Sequence, residues 1–127
     1  MIYGLMKRNM FLGVSDKMEL EIYTHDKNLL FNLMGKSSVS RDEFVEIPNT
    51  NTKLIYKGTT IRLAAGLPEI INFTLTFSSG VAAGVVANWI YDKLKNRAEK
   101  IVINRREIQM DKEEIKRFIE EEIKIEK

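Results

Sequence analysis

The chain has 127 residues, 44% hydrophobic and 30% charged, with a formal net charge of +2. That length fits one domain able to bury a core without staples, and so small a net charge leaves no nucleic-acid footprint in the composition. Cysteine is absent, which excludes disulfides, thiol nucleophiles and thiolate metal sites together and suits a reducing compartment.

The N-terminal stretch MIYGLMKRNMFLGVSDK does not have the order of a secretory signal, because Lys7 and Arg8 interrupt its apolar residues. A cytoplasmic location is the expectation. Residues 18–24 alternate, with Met18, Leu20 and Ile22 on one face and Glu19, Glu21 and Tyr23 on the other, the period of a half-buried strand. Asp26 is placed to cap a short helix, KNLLFNLM, which Gly35 ends in the left-handed conformation. FVEI reads as a short strand stopped by Pro48, followed by the turn-rich PNTNT. Residues 53–63, KLIYKGTTIRL, read as a hairpin turning at Gly58. AAGLPE then breaks the chain, with Pro68 suited to the start of the next element.

Residues 70–91 form a run of 22 without a charged side chain. As one helix it would rise about 33 Å, enough to cross a hydrocarbon core of roughly 30 Å. Trp89 and Tyr91 would mark the interface, and Gly80 with Gly84 supplies a small-xxx-small pair. Against a span, Asn72, Thr74, Thr76, Ser78, Ser79 and Asn88 lie inside the run, and Ile71, Phe73, Leu75 and Phe77 alternate as in a strand. The preferred division is a strand, then a helix over about residues 81–95 in which Gly80, Ala83, Gly84 and Ala87 let another backbone approach closely. Glycine inside a helix costs about 1 kcal/mol relative to alanine, so two of them imply an offsetting contact. That contact is either with the domain's own sheet or with a second chain, with Trp89 beside it.

EKIVINRREIQM reads as a second hairpin whose turn type stays open for want of a glycine. At the C-terminus, Asp111 and Glu114 resemble a capping box, and Ile115, Phe118, Ile119 and Ile123 share one helical face. Glu113 with Arg117, Lys116 with Glu120, Arg117 with Glu121 and Glu120 with Lys124 stand at i,i+4 on the outer face, each pair adding roughly 0.2–0.5 kcal/mol. The sum is one α+β domain: β-hairpins packed on a small-residue-rich helix, with a C-terminal amphipathic helix. Residues 1–65 are its strand-rich part and 66–127 its helix-hairpin-helix part.

The chemistry-bearing residues are few. His25 is the single histidine, lies in THDKN beside Asp26, and reads as an exposed loop histidine rather than half of an acid–base pair. With one histidine, no cysteine and no carboxylates at ligand spacing, no metal is expected. MGKSS carries the tail of a phosphate loop, but Leu30 stands where the loop needs its upstream glycine. No cofactor and no catalytic residues are expected. Lys95, Arg97, Arg105 and Arg106 could make weak phosphate contacts, but Asp92, Glu99 and Glu107 interleave with them.

The segment SSGVAAGVVANWIYDKLKNRAEKIVINRREIQMDKEEIKRFIEEEI resembles the C-terminal half of small, mostly uncharacterised bacterial and prophage proteins. These share a glycine–alanine helix, an isoleucine-rich hairpin and a charged helix, an arrangement similar to the effector-associated constant components of bacterial conflict systems. The resemblance implies a non-enzymatic adaptor acting by protein–protein contact, and it brings no catalytic residues. The leading expectation is such an interaction module, with a protein partner or self-association through the Gly80, Ala83, Gly84, Ala87 and Trp89 region. The alternatives are a membrane-associated protein inserted through residues 70–91, or a small nucleic-acid-binding regulator.

Overall fold

The structure, a computed structural model, describes residues 16–62, 64–77 and 83–125. Its elements in chain order are β1 (Asp16–Thr24), α1 (Leu29–Met34), β2 (Phe44–Ile47), β3 (Thr52–Thr60), β4 (Glu69–Phe77), α2 (Ala83–Leu94), β5 (Ala98–Ile103), β6 (Arg106–Ile108) and α3 (Lys112–Ile125). The six strands form one antiparallel sheet in the order β2-β3-β4-β1-β5-β6. This is a small α+β fold. The two parts seen in the sequence interleave: β4 inserts between β3 and β1, and β1 in turn pairs with β5. Among the described residues, the edge strands β2 and β6 have only 4 and 3 residues, which limits the backbone they leave open to strand addition.

Period-two alternation sets the two faces of the sheet. Met18, Leu20 and Ile22 of β1 stand opposite Leu75, Phe73 and Ile71 of β4, and all six are buried. Leu54 and Tyr56 of β3 and Ile101 and Ile103 of β5 extend this layer, and the Tyr56 and Phe73 rings meet at 6.0 Å, tilted by 59°. Leu29, Leu33 and Met34 of α1, Val86, Ala87, Ile90 and Leu94 of α2, and Ile115, Phe118 and Ile119 of α3 complete one continuous core. Each such large side chain contributes about 1.5–3 kcal/mol on burial.

Residues 70–77 belong to a strand hydrogen-bonded on both sides, so the uncharged run does not form one spanning helix. Among the described residues no helix is long and apolar enough to cross a membrane. The strand reading wins because every second residue of β4 faces the core, whereas a helix would have scattered the intervening Asn72, Thr74 and Thr76 through an apolar surround.

Residues 53–62 are not a hairpin, and Leu63 lies outside the described residues. β3 continues past Gly58 to Thr60 and pairs with β4 on both sides of it, Tyr56 opposite Phe73 and Thr59 opposite Ile71. The register slips by one residue at Lys57, so the break in alternation marks a β-bulge and not a reversal. Gly58 takes φ 111°, and the Arg41 guanidinium lies over it, 2.7 Å from where a Cβ would stand.

The hairpin joining β5 to β6 turns at Asn104 and Arg105, both with positive φ (49° and 69°), the backbone of a type I′ turn built without glycine. Asn104 supports it: its Oδ1 accepts from the Glu19 amide, its own amide donates to the Glu19 carbonyl, and its Nδ2 donates to Glu122 of α3. Gly35 ends α1 in the left-handed conformation, donating to the Phe31 carbonyl. At the other end of α1, the helix starts two residues later than expected: Asn28 holds the cap position, and Asp26 accepts from the Asn28 amide ahead of it. On α3, Arg117 pairs with Glu114 at i,i+3 in place of Glu113 at i,i+4.

Candidate interaction surface

The small-residue stripe packs inside the chain. Gly80 lies outside the described residues. Ala87 is fully buried, and Ala83 is half-buried against the core. A Cβ on Gly84 would meet the aliphatic stem of Lys116, with Cε at 3.5 Å and Cδ at 3.8 Å. Within the chain, the neighbour of Gly84 is therefore α3 and not the sheet. Trp89 is also half-buried against the core, with the Lys93 ammonium 5.6 Å from its ring centre.

The four basic candidates do not come together. Lys95 and Arg97 precede β5 and Arg105 and Arg106 follow it, so a strand of six residues, roughly 20 Å long, separates the pairs. Lys95 sits near Asp92 at 3.9 Å, and Arg97 near Asp26 at 3.7 Å. The Arg106 guanidinium lies 4.9 Å from the centre of the Phe118 ring. Only Arg105, exposed in its turn, resembles the phosphate contact expected of the set.

His25 stands at the end of β1 and is joined to two distant segments. Its Nδ1 lies 3.1 Å from Glu99 Oε1, and its Nε2 lies 3.0 Å from the Gly66 carbonyl. Asp26, its sequence neighbour, turns away to Arg97. Glu99 reaches His25 because β5 is bulged at that point. Tyr23 pairs with Lys100 and Thr24 with Ala98, leaving Glu99 as the extra residue. Thr24 fixes this corner, donating to the Arg97 carbonyl at 2.6 Å and accepting from the Asp26 amide at 2.9 Å. The hydrogen bond to the Gly66 carbonyl, and then that to Glu99, hold the His25 pKa above its ordinary value.

The Gly66 side of this contact is a turn over residues 64–67. The Leu67 amide donates to the Ala64 carbonyl, and Gly66 at the third position has φ 84°, the geometry of a type II turn. Arg62 holds the next residue, its Nε and Nη2 both donating to the Pro68 carbonyl while its guanidinium lies 5.4 Å from the Tyr23 ring centre. Around the turn is a shallow depression of about 270 Å³ lined by His25, Lys27, Ile61, Arg62, Leu67 and Glu69 among others. Ile61 is 67% exposed and Leu67 44%, two large apolar side chains beside a charged rim that includes the ion pair of Lys27 with Glu69.

Sequence reasoning missed this corner for a definite reason. The partners of His25 lie 41 and 74 positions away, where no local spacing points to them. One local signal existed: AAGLP is a turn segment made of small and apolar residues where polar turn-formers are usual. Among the described residues, no group of three or more histidines and carboxylates could hold a metal ion. Comparisons with protein-family models, curated proteins and solved structures give no match to this chain.

Proposed function

We propose that the protein is a non-enzymatic interaction module that binds a protein partner through the connection between β3 and β4, centred on Ile61 and Leu67. The observation that carries this reading is the exposure of these two apolar side chains on one small surface rimmed by Lys27, Arg62, Glu69 and His25. Apolar groups ringed by charge are the usual anatomy of a protein–protein contact. The resemblance of the C-terminal segment to adaptors of bacterial conflict systems supports the same reading and suggests the setting. The proposed contact differs from the one expected at Gly84 and Ala87, because Ala87 is buried and Gly84 has Lys116 of the same chain beside it.

The test is capture of partners from the native host with three proteins: the natural chain, an Ile61→Asp/Leu67→Asp variant, and Val85→Asp as a control on an exposed position of α2. Circular dichroism verifies that each is folded. A partner held by the natural chain and by Val85→Asp, but lost with the double variant, is the expected result. Capture that survives the double variant, or is lost only with Val85→Asp, refutes the assignment.

A further inference from the structure

The contacts of His25 set a stereochemical condition. Both groups facing its ring nitrogens, the Glu99 carboxylate oxygen and the Gly66 carbonyl oxygen, are hydrogen-bond acceptors. A neutral imidazole carries one N–H and one bare lone pair, so it can satisfy one of these contacts while opposing the other; only the imidazolium donates to both. The two acceptors belong to different segments, one to the bulge of β5 and one to the turn at residues 64–67.

We propose that His25 is a proton-operated latch that pins the turn at residues 64–67 to the corner of β1 and β5 and thereby controls how Leu67 is presented. The regulatory part of this proposal rests on the interaction reading given above. Protonated, His25 ties Gly66 to Glu99. Deprotonated, it keeps one bond, to the charged Glu99 carboxylate as the stronger acceptor, and among the described residues the remaining side-chain hold beside the turn is Arg62 at the Pro68 carbonyl. The Arg62 bonds to the Pro68 carbonyl do not involve His25, so release is confined to the Gly66 side.

The other charged groups at this corner are engaged elsewhere. Asp26 on the β1 side faces Arg97 ahead of β5, and Lys27 faces Glu69 of β4. Arg62 from the β3–β4 connection and Lys100 of β5 both lie over the Tyr23 ring. Glu99 is thus the carboxylate within contact of His25 among the described residues. Because the folded-state pKa is raised, the latch contributes fully below the unfolded value near 6.5 and is lost as pH rises through the folded value.

The chain holds one histidine, so its ring proton resonances report a single titration. NMR of the full chain from pH 5 to pH 9, read with hydrogen-exchange protection factors for residues 64–67, tests the latch without any partner. The expected result is a His25 midpoint above about 6.5 and a several-fold fall in protection at Leu67, whose amide donates to the Ala64 carbonyl, centred on that midpoint. Glu99→Gln should lower the midpoint, and His25→Ala should flatten the protection profile. A midpoint at or below about 6.5, or protection that stays flat while His25 titrates, overturns the proposal. Failure of the interaction reading is separable, since a turn that loosens with His25 supports the latch even where capture ignores the Ile61→Asp/Leu67→Asp variant.

Discussion

The small-residue stripe of α2 makes its sharpest prediction through two substitutions of opposite sign. Gly84 has an ordinary helical backbone, and an added Cβ would stand 3.5 Å from Lys116 Cε, a normal contact with the movable end of a side chain. Gly84→Ala therefore removes unfolded-state freedom without native strain and should stabilise the protein by about 0.4–1 kcal/mol. Ala87 is fully enclosed, so Ala87→Leu forces three extra carbons into a filled space and should cost about 1–3 kcal/mol. For a chain of this size, 1 kcal/mol moves the thermal midpoint by roughly 3–5 °C. Urea unfolding followed by circular dichroism measures both, and sedimentation velocity reports the association state of each variant. A Gly84→Ala loss above 1 kcal/mol, or a natural oligomer that Gly84→Ala dissociates, would refute the placement of the stripe against α3.

Two further substitutions test the sheet. Gly58→Ala places a side chain at φ 111° and should destabilise by about 1–3 kcal/mol; adding Arg41→Ala should recover only the steric share, and a near-neutral single variant would contradict the bulge. Thr52 is buried, and its hydroxyl finds no partner among the described residues, so Thr52→Val should stabilise by about 1 kcal/mol in a denaturant titration. A loss there instead would reveal a bond to that hydroxyl.

Elements whose burial pattern is local could be read directly. Met18, Leu20 and Ile22 announce β1, and Ile71, Phe73, Leu75 and Phe77 announce β4, because a half-buried strand writes its period into the chain. Ile115, Phe118 and Ile119 announce α3 in the same way, and Gly35 marks the end of α1. Gly58 misled because a bulge and a turn both interrupt alternation, and only the pairing of β3 with β4 on either side tells them apart. Asn104 and Arg105 gave no glycine to announce a type I′ turn. The bonds that pay for their left-handed backbone come from Glu19 and Glu122, far away in sequence.

The candidate site follows the same division between local and distant information. The core fixes where β1, β4 and β5 end, and those ends bring His25, Glu99 and the turn at Gly66 to one corner. The position of Glu99 depends on a single-residue slip against β1; without it the carboxylate would occupy a regular ladder position and alternate to the other face. A change that restores regular pairing there, such as deletion of Glu99, would thus do more than remove one carboxylate. It would also straighten β5 by removing the bulge itself, while Ala98 stays opposite Thr24. Glu99→Gln keeps the bulge and the size of the side chain while removing the charge. Of the two changes, only the substitution isolates the electrostatic hold on His25 from the backbone geometry that delivers it.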